Sequence, residues 1–469
     1  MDGQHDNGLG DRTEIVGTGV GYKGYRIGRP TVLGEPAIVE FDDPGFGIDD
    51  HIFQNRAEPL RRREDLRLGL GGQVDDLRVA AAFEVEDKLP LSVVKSLMKI
   101  VLALAFMTAA APTAAQPVVR SNLVSAVPLA GAPDGANAFR VVYHSTDGGG
   151  TPVDVTGVVI VPKGPPPPNG RDIIAWAHGT SGIADACAPS TNTWLFGSIA
   201  GLSDLIKRGY IVAATDYQGL GGPGPHPYLV GPSAAHSVLD AVRAARSVPR
   251  ASASNRFGVW GESQGGHATL WAAQLAPSYA PELQLVGAAA DAPPVDLSAN
   301  LTGNSNAAVR ALSTAYAGAS WSAVYGIPLS TIARPVGQDL MRRLAKNCVT
   351  LDGFQLRTKI GLMRLTYQLK GVDLNASPRW AALMRANSVV PRRLGVPLLV
   401  AQGSADVIVA PAVTRTFVGQ MCKAGQRLRF IEVADGDHVT VAKRTAAETI
   451  GWFGDRFAGK TVPNDCNRL

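Results

Sequence analysis

The sequence predicts an α/β fold: a doubly wound, mostly parallel sheet, led by an antiparallel hairpin and carrying a helical insertion. Three observations predict it. Short apolar runs of strand length alternate with helical stretches from Phe139 onward. Most of these runs are almost continuously apolar, as strands covered on both faces must be. One interval, Asp296 to about Val390, breaks the alternation with helical stretches alone.

The elements follow in chain order. Phe139–Ser145 and Val153–Val161 are rich in β-branched residues and flank the turn Asp147-Gly148-Gly149-Gly150, which reads as a hairpin. Ile173–Ala177, Tyr210–Thr215, Phe257–Trp260, Leu285–Ala290, Leu398–Ala401 and Leu428–Val433 read as the parallel strands. Helices are expected at Ser198–Arg208, Ala234–Ser247, Gln264–Ala276 and Val439–Phe457, and within the insertion at Asn306–Ala317 and Gln338–Lys346. An insertion between two sheet strands reads as a cap or lid over the carboxyl edge of the sheet.

The chain has 469 residues, 45% hydrophobic and 18% charged, with a formal charge of +5. That composition excludes a disordered tail or a fibrous repeat as its main business. The average hides a break. Residues 1–97 carry 12 Lys/Arg against 18 Asp/Glu, whereas residues 116–469 carry 32 against 22 and hold all four Cys and all seven Trp. Arg61-Arg62-Arg63 is flanked by Glu58, Glu64 and Asp65 and reads as solvated surface, so no nucleic-acid partner is expected.

Between the two parts, Met98-Lys99 is followed by the apolar run Ile100–Ala111 and then by Pro112-Thr113-Ala114-Ala115. A basic start, a short apolar stretch and small residues at the −3 and −1 positions make a signal peptide cleaved after Ala115. The run is too short to span a bilayer, so no transmembrane anchor is expected; the alternative is a buried helix joining two domains. A signal works near an N-terminus, so the expected start is Met98 and residues 1–97 are an upstream extension. The expected organisation is then 1–97 extension, 98–115 signal, 116–295 first part of the core, 296–390 cap and 391–469 second part of the core. Cys187, Cys348, Cys422 and Cys466 form an even set without zinc-site spacing, consistent with two disulfides in a secreted or periplasmic protein. Of three pairings, Cys187–Cys348 with Cys422–Cys466 is favoured, the second tying the last helix back to the core.

Chemistry concentrates in Gly261-Glu262-Ser263-Gln264-Gly265-Gly266, directly after one predicted strand and opening a helix. G-x-S-x-G in that setting is a nucleophile elbow, whose small flanking residues permit a strained turn that lifts the serine above the sheet. A serine hydroxyl needs a His to take its proton and a carboxylate to orient that His. Asp406 follows the strand Leu398–Ala401 and His438 follows Leu428–Val433. This is the order Ser, acid, His, each on a loop after a strand, that α/β-hydrolases use.

Asp291, at the end of the strand after the nucleophile, is the competing acid. Asp435 and Asp437 read as solvent-facing or as turn braces, His267 as a packed or hydrogen-bonded helix residue, and His226 and His236 as structural. Oxyanion donors are expected from the amide of Gln264 and from the loop His178-Gly179-Thr180-Ser181-Gly182, where Thr180 is chosen with Gly179 and Ser181 next. Gly219-Leu220-Gly221-Gly222-Pro223-Gly224 matches G-x-G-x-x-G, but Pro223, Pro225 and Pro227 prevent the immediate helix a dinucleotide site needs. It reads as a loop on the pocket rim.

The chain resembles the secretory lipase family, the fungal lipase A type within the α/β-hydrolases, over about residues 120–457. The resemblance rests on Ala177-His178-Gly179-Thr180 with Cys187-Ala188-Pro189-Ser190, and on Asp216–Gly221 with Gly224-Pro225-His226-Pro227-Tyr228. It extends to Asp240-Ala241-Val242-Arg243-Ala244, to Gly261–Gly265, and to the loops Gly403–Pro411 and Gly436–His438. It implies Ser263, Asp406 and His438 as a triad, a helical lid over an acyl-chain tunnel, and hydrolysis of acyl esters, triacylglycerols among the candidates. It implies no metal or organic cofactor, an ester substrate as partner, and a lipid–water interface as a further contact. A peptidase or an acyltransferase on the same scaffold, or a catalytically silent binding protein, are the rival readings. Mass spectrometry of the exported protein is expected to find Gln116 as its first residue and no peptide from residues 1–97; any such peptide would overturn the assignment of the start.

Overall fold

The computed structural model describes residues 121–349 and 356–469. The expected signal sequence and the segment before it lie outside the described residues. Among the described residues nine strands form one sheet: β1 (Leu123–Pro128), β2 (Ala136–Thr146), β3 (Pro152–Pro162), β4 (Arg171–Ala177), β5 (Ile211–Thr215), β6 (Ala253–Glu262), β7 (Gln284–Asp291), β8 (Leu398–Gly403) and β9 (Leu428–Val433). Their order is β1-β2-β3-β5-β4-β6-β7-β8-β9. The pairs from β1 through β3 to β5 are antiparallel and those from β5 to β9 are parallel.

The continuous apolar runs have a direct cause in this arrangement. In β4, Ile173, Ala175 and Ala177 pack into one core cluster while Ile174 and Trp176 pack into the other. From Ile173 to Ala177 neither face meets water, so both faces are apolar there. One face is covered by the helices Gly231–Ser247, Gln264–Tyr279 and Pro411–Lys423. The other is covered by Leu195–Ser198, Leu202–Lys207 and Val441–Phe457.

One local expectation is corrected. A single helix over Ser198–Arg208 is instead two short ones, Leu195–Ser198 and Leu202–Lys207, because the chain is extended at Ile199 and then turns through φ +63° at Gly201 between them. Strand β1 escapes the sequence pattern because it is an edge strand whose residues are half-buried or exposed, with no apolar face to advertise.

Between β7 and β8 the chain leaves the sheet for the helices Leu297–Leu301, Ala307–Tyr325, Pro335–Leu344, Leu356–Gln368 and Pro378–Asn387. They build a separate core in which Trp321 stacks on Trp380 with ring centroids 6.0 Å apart, and Tyr228, Leu229 and Val230 of the main body enter the same cluster. Disulfides join Cys187 to Cys348 and Cys422 to Cys466. The first links the loop after β4 to the inserted segment, and the second holds the C-terminal tail against the Pro411–Lys423 helix.

Candidate active site

The parallel strands all run the same way, so the loops after β4, β6, β8 and β9 emerge at one edge of the sheet. These loops carry Thr180, Ser263, Asp406 and His438 respectively. The sharpest turn is the one after β6. Ser263 has φ 54° and ψ −121°, a conformation that L-residues rarely adopt, and its amide donates to the Asp291 carbonyl at 2.8 Å. Ala177 at the end of β4 presses against this turn. A Cβ on Gly261 would lie 2.5 Å from the Ala177 oxygen, and a Cβ on Gly265 would collide with the same carbonyl. Both glycines are therefore required by sterics, and the serine between them is forced outward from the sheet end.

The Ser263 hydroxyl lies 2.8 Å from His438 Nε2, and His438 Nδ1 lies 2.7 Å from Asp406 Oδ2. A carboxylate opposite Nδ1 assigns the ring proton there, leaving Nε2 free to accept from serine. Asp406 is itself saturated. Its Oδ1 accepts from the Ile408 and Val409 amides, each at 2.8 Å, and Oδ2 also accepts from Gln402 Nε2 at 2.9 Å. Gln402 is aimed by Thr414, whose hydroxyl donates to Gln402 Oε1 at 2.7 Å. Burial pushes the Asp406 carboxyl up, but its hydrogen bond to His438 and the two amides together hold it below the ordinary value.

Two nearby carboxyls behave in the opposite way. Glu262 and Asp291 are paired across β6 and β7. Both are pushed up to about 7, chiefly by burial, with the charge of Glu262 a smaller contribution to the rise of Asp291. Asp291 is fully buried and bonds through Oδ2 to Trp260 Nε1 at 2.7 Å. The structure thus joins His438 to Asp406 and turns the competing acid Asp291 toward an indole.

The other histidines are engaged elsewhere. His226 Nδ1 faces the Gln218 carbonyl at 2.9 Å and its Nε2 faces the Gln264 side-chain amide at 2.9 Å. His267 Nε2 lies 2.7 Å from the Asn387 carbonyl, and His236 stacks on Tyr279. Burial pushes His226 and His267 down to about 4. Asp437 Oδ1 accepts from the Thr440 amide and hydroxyl and so braces its own turn, while the Asp435 amide donates to Ser404 Oγ at 2.9 Å.

Gln264 is the first residue of the Gln264–Tyr279 helix, where the first amides have no intrahelical acceptor. Thr180 lies in the irregular loop after β4, and its hydroxyl meets Tyr228 Oη at 2.9 Å. The loop Gly219–Gly224 forms no helix; the next one starts at Gly231. From sequence alone Gln402, Glu262 and Tyr228 had no role of their own: Gln402 bonds Asp406 only four residues on, a contact with no pattern to mark it, whereas Glu262 and Tyr228 meet partners distant along the chain. Among the described residues no cluster of His, Cys, Asp and Glu could hold a metal, and no helix is long and apolar enough to cross a membrane.

The family model for secretory lipases matches residues 197–465. The chain belongs to the secretory lipase family. Among curated relatives, the chain is 27% identical to Lipase 5 of Candida albicans over 363 residues, 71% of this chain and 74% of that one. It is 25% identical over 369 residues to a probable inactive lipase of Mycobacterium tuberculosis, covering 74% and 79% of the two chains. Among solved structures, Candida antarctica lipase A in its closed state superposes with a TM-score of 0.58 at 18% identity, over 73% of this chain and 85% of that one. A variant of the rice cell wall degrading esterase LipA from Xanthomonas oryzae gives 0.59 at 20% identity, over 72% and 99%. The fold is the α/β-hydrolase fold, and the protein is a carboxylic ester hydrolase. Membership of this family, together with two disulfides, supports an extracellular location.

The raised value of Asp291 has a sign that can be tested. The folded protein holds the Asp291 proton up to about 7, whereas the unfolded chain releases it near 3.8. Stability from this group is therefore lost as pH rises through that window. Asp291→Asn is expected to raise the thermal midpoint relative to the parent more at pH 8 than at pH 5. An equal shift at both pH values would contradict the assignment.

Proposed function

We propose that this protein is released from the cell after removal of residues 98–115 and cleaves acyl esters through Ser263, His438 and Asp406. The observation that carries the reading is the unbroken chain Asp406–His438–Ser263, with links of 2.7 and 2.8 Å. That spacing supports direct proton transfer without a bridging water. His438 Nε2 takes the Ser263 proton as Oγ attacks the ester carbonyl, and the imidazolium is stabilised by a carboxylate already held ionised. The amides of Gln264 and Thr180 receive the oxyanion of the tetrahedral intermediate. His438 then returns its proton to the departing alcohol, and the same steps with water release the acid and regenerate Ser263.

The inserted helices serve in this reading as a cap. Support comes from their grip on the acid loop, where Asn304 Nδ2 donates to the Val407 and Ile408 carbonyls at 3.2 and 2.8 Å. Substrates are acyl esters of the lipase or esterase type, triacylglycerols among them.

Ser263→Ala is expected to reduce hydrolysis of p-nitrophenyl esters by about 10³-fold or more, with the fold retained by circular dichroism. Turnover left intact would overturn the site. An acyl-chain profile from acetate to palmitate should show ester cleavage throughout the series and none of aminoacyl nitroanilides; cleavage of the anilides alone would make the protein a peptidase.

A further inference from the structure

We propose that His226 and Tyr228 are positioning residues, forming a clamp through which the inserted helices set the aim of both oxyanion donors. The inference rests on the assignment of Gln264 and Thr180 to the oxyanion hole made above, and it identifies what holds them.

A backbone amide in an irregular loop is aimed only by what its neighbours touch. Thr180 is in such a loop, and its hydroxyl bonds to Tyr228 Oη at 2.9 Å. The Gln264 side chain is buried, and its amide nitrogen bonds to His226 Nε2 at 2.9 Å. The two proposed donors, which come from different strand ends, are thus held by two residues separated only by Pro227. His226 can play this part because the Gln218 carbonyl at Nδ1 calls for the ring proton on that side, which makes Nε2 an acceptor. Its burial favours the neutral ring and so preserves that acceptor.

The segment is stiff by construction: Pro227 restricts its own φ, and Leu229 turns the chain at φ 56°. Its backbone is seated from the insertion. Ser320 Oγ donates to the His226 carbonyl at 2.7 Å and accepts from the Tyr228 amide at 2.9 Å. Trp321 Nε1 donates to the Tyr228 carbonyl at 2.8 Å. One turn of the Ala307–Tyr325 helix therefore holds both residues of the clamp. A second tie reinforces the loop from its other side, where the Val349 amide donates to the Ser181 carbonyl at 2.8 Å beside the Cys187–Cys348 disulfide. Misplacing a catalytic donor by about 1 Å can cost about 10² in rate. A displaced cap would then act on turnover by detuning the donors, apart from any effect on access to the site.

The test compares Tyr228→Phe, which deletes the bond to Thr180, with Ser320→Ala, which unseats the segment from the insertion, and with the double variant. On a soluble p-nitrophenyl ester, Tyr228→Phe is expected to lower kcat by about tenfold with KM within about twofold, a fraction of the loss from deleting an oxyanion donor outright. Ser320→Ala should lower kcat in the same way, and Ser320→Thr should restore it. The double variant should fall no further than the worse single one, because both act along one path. The clamp is refuted if both single variants keep kcat within twofold of the parent, if KM moves instead, or if the two losses multiply. If Tyr228→Phe does not fold, the Ser320→Ala and Ser320→Thr pair decides the question alone. Parallel assay of Ser263→Ala separates the two levels: activity retained there removes the underlying site, whereas activity lost there with the clamp variants unaffected removes only the clamp.

Discussion

Everything at the carboxyl edge of this sheet depends on the close approach of Ala177 to the turn that follows β6. The Ala177 carbonyl leaves no room for a side-chain carbon at Gly261 or Gly265. The backbone between them must turn through a left-handed residue, and that residue is Ser263 at φ 54°. Such a conformation costs of order 1–3 kcal/mol and persists only where packing imposes it. Here it is imposed by a sheet buried on both faces and by the helix that begins one residue later. The same contact brings the loop after β4, with Thr180, alongside the start of the helix, with Gln264.

The electrostatics follow from which carboxyls are satisfied. Asp406 accepts from two amides, Gln402 and His438, and stays below its ordinary range despite burial. Glu262 and Asp291 are adjacent across β6 and β7 without comparable donors, and both are pushed up to about 7. One fold thus keeps a carboxylate charged behind His438 and two others close to neutral beneath the serine. The separation of roles by environment is a common device in hydrolytic sites.

Much of this was legible in advance, for reasons that can be named. Strands β4 to β8 carry near-continuous apolar runs because each meets a helical layer on both faces, and such runs cannot be hidden in a sequence. The elbow was legible because its glycines answer a steric demand. Asp406 and His438 stood out because each follows a strand end, and the structure brings Asp406 to His438 and His438 to Ser263; their catalytic roles are the proposal made here. Edge strand β1 was silent because its residues are half-buried or exposed. The break at Gly201 was silent because helical composition continues on either side of it. His226 and Tyr228 read as parts of a Pro-rich loop, since what they hold lies 38 and 48 residues away along the chain. The cap's hold on that loop comes from Ser320 and Trp321, further still, and only tertiary structure could disclose it.

The most direct measurement is stoichiometric labelling with a p-nitrophenyl alkylphosphonate, followed by peptide mapping of the inactivated protein. The account predicts one adduct per chain, on Ser263, with release of one equivalent of nitrophenol and loss of all esterase activity. An adduct on another residue, or inactivation without modification of Ser263, would contradict it.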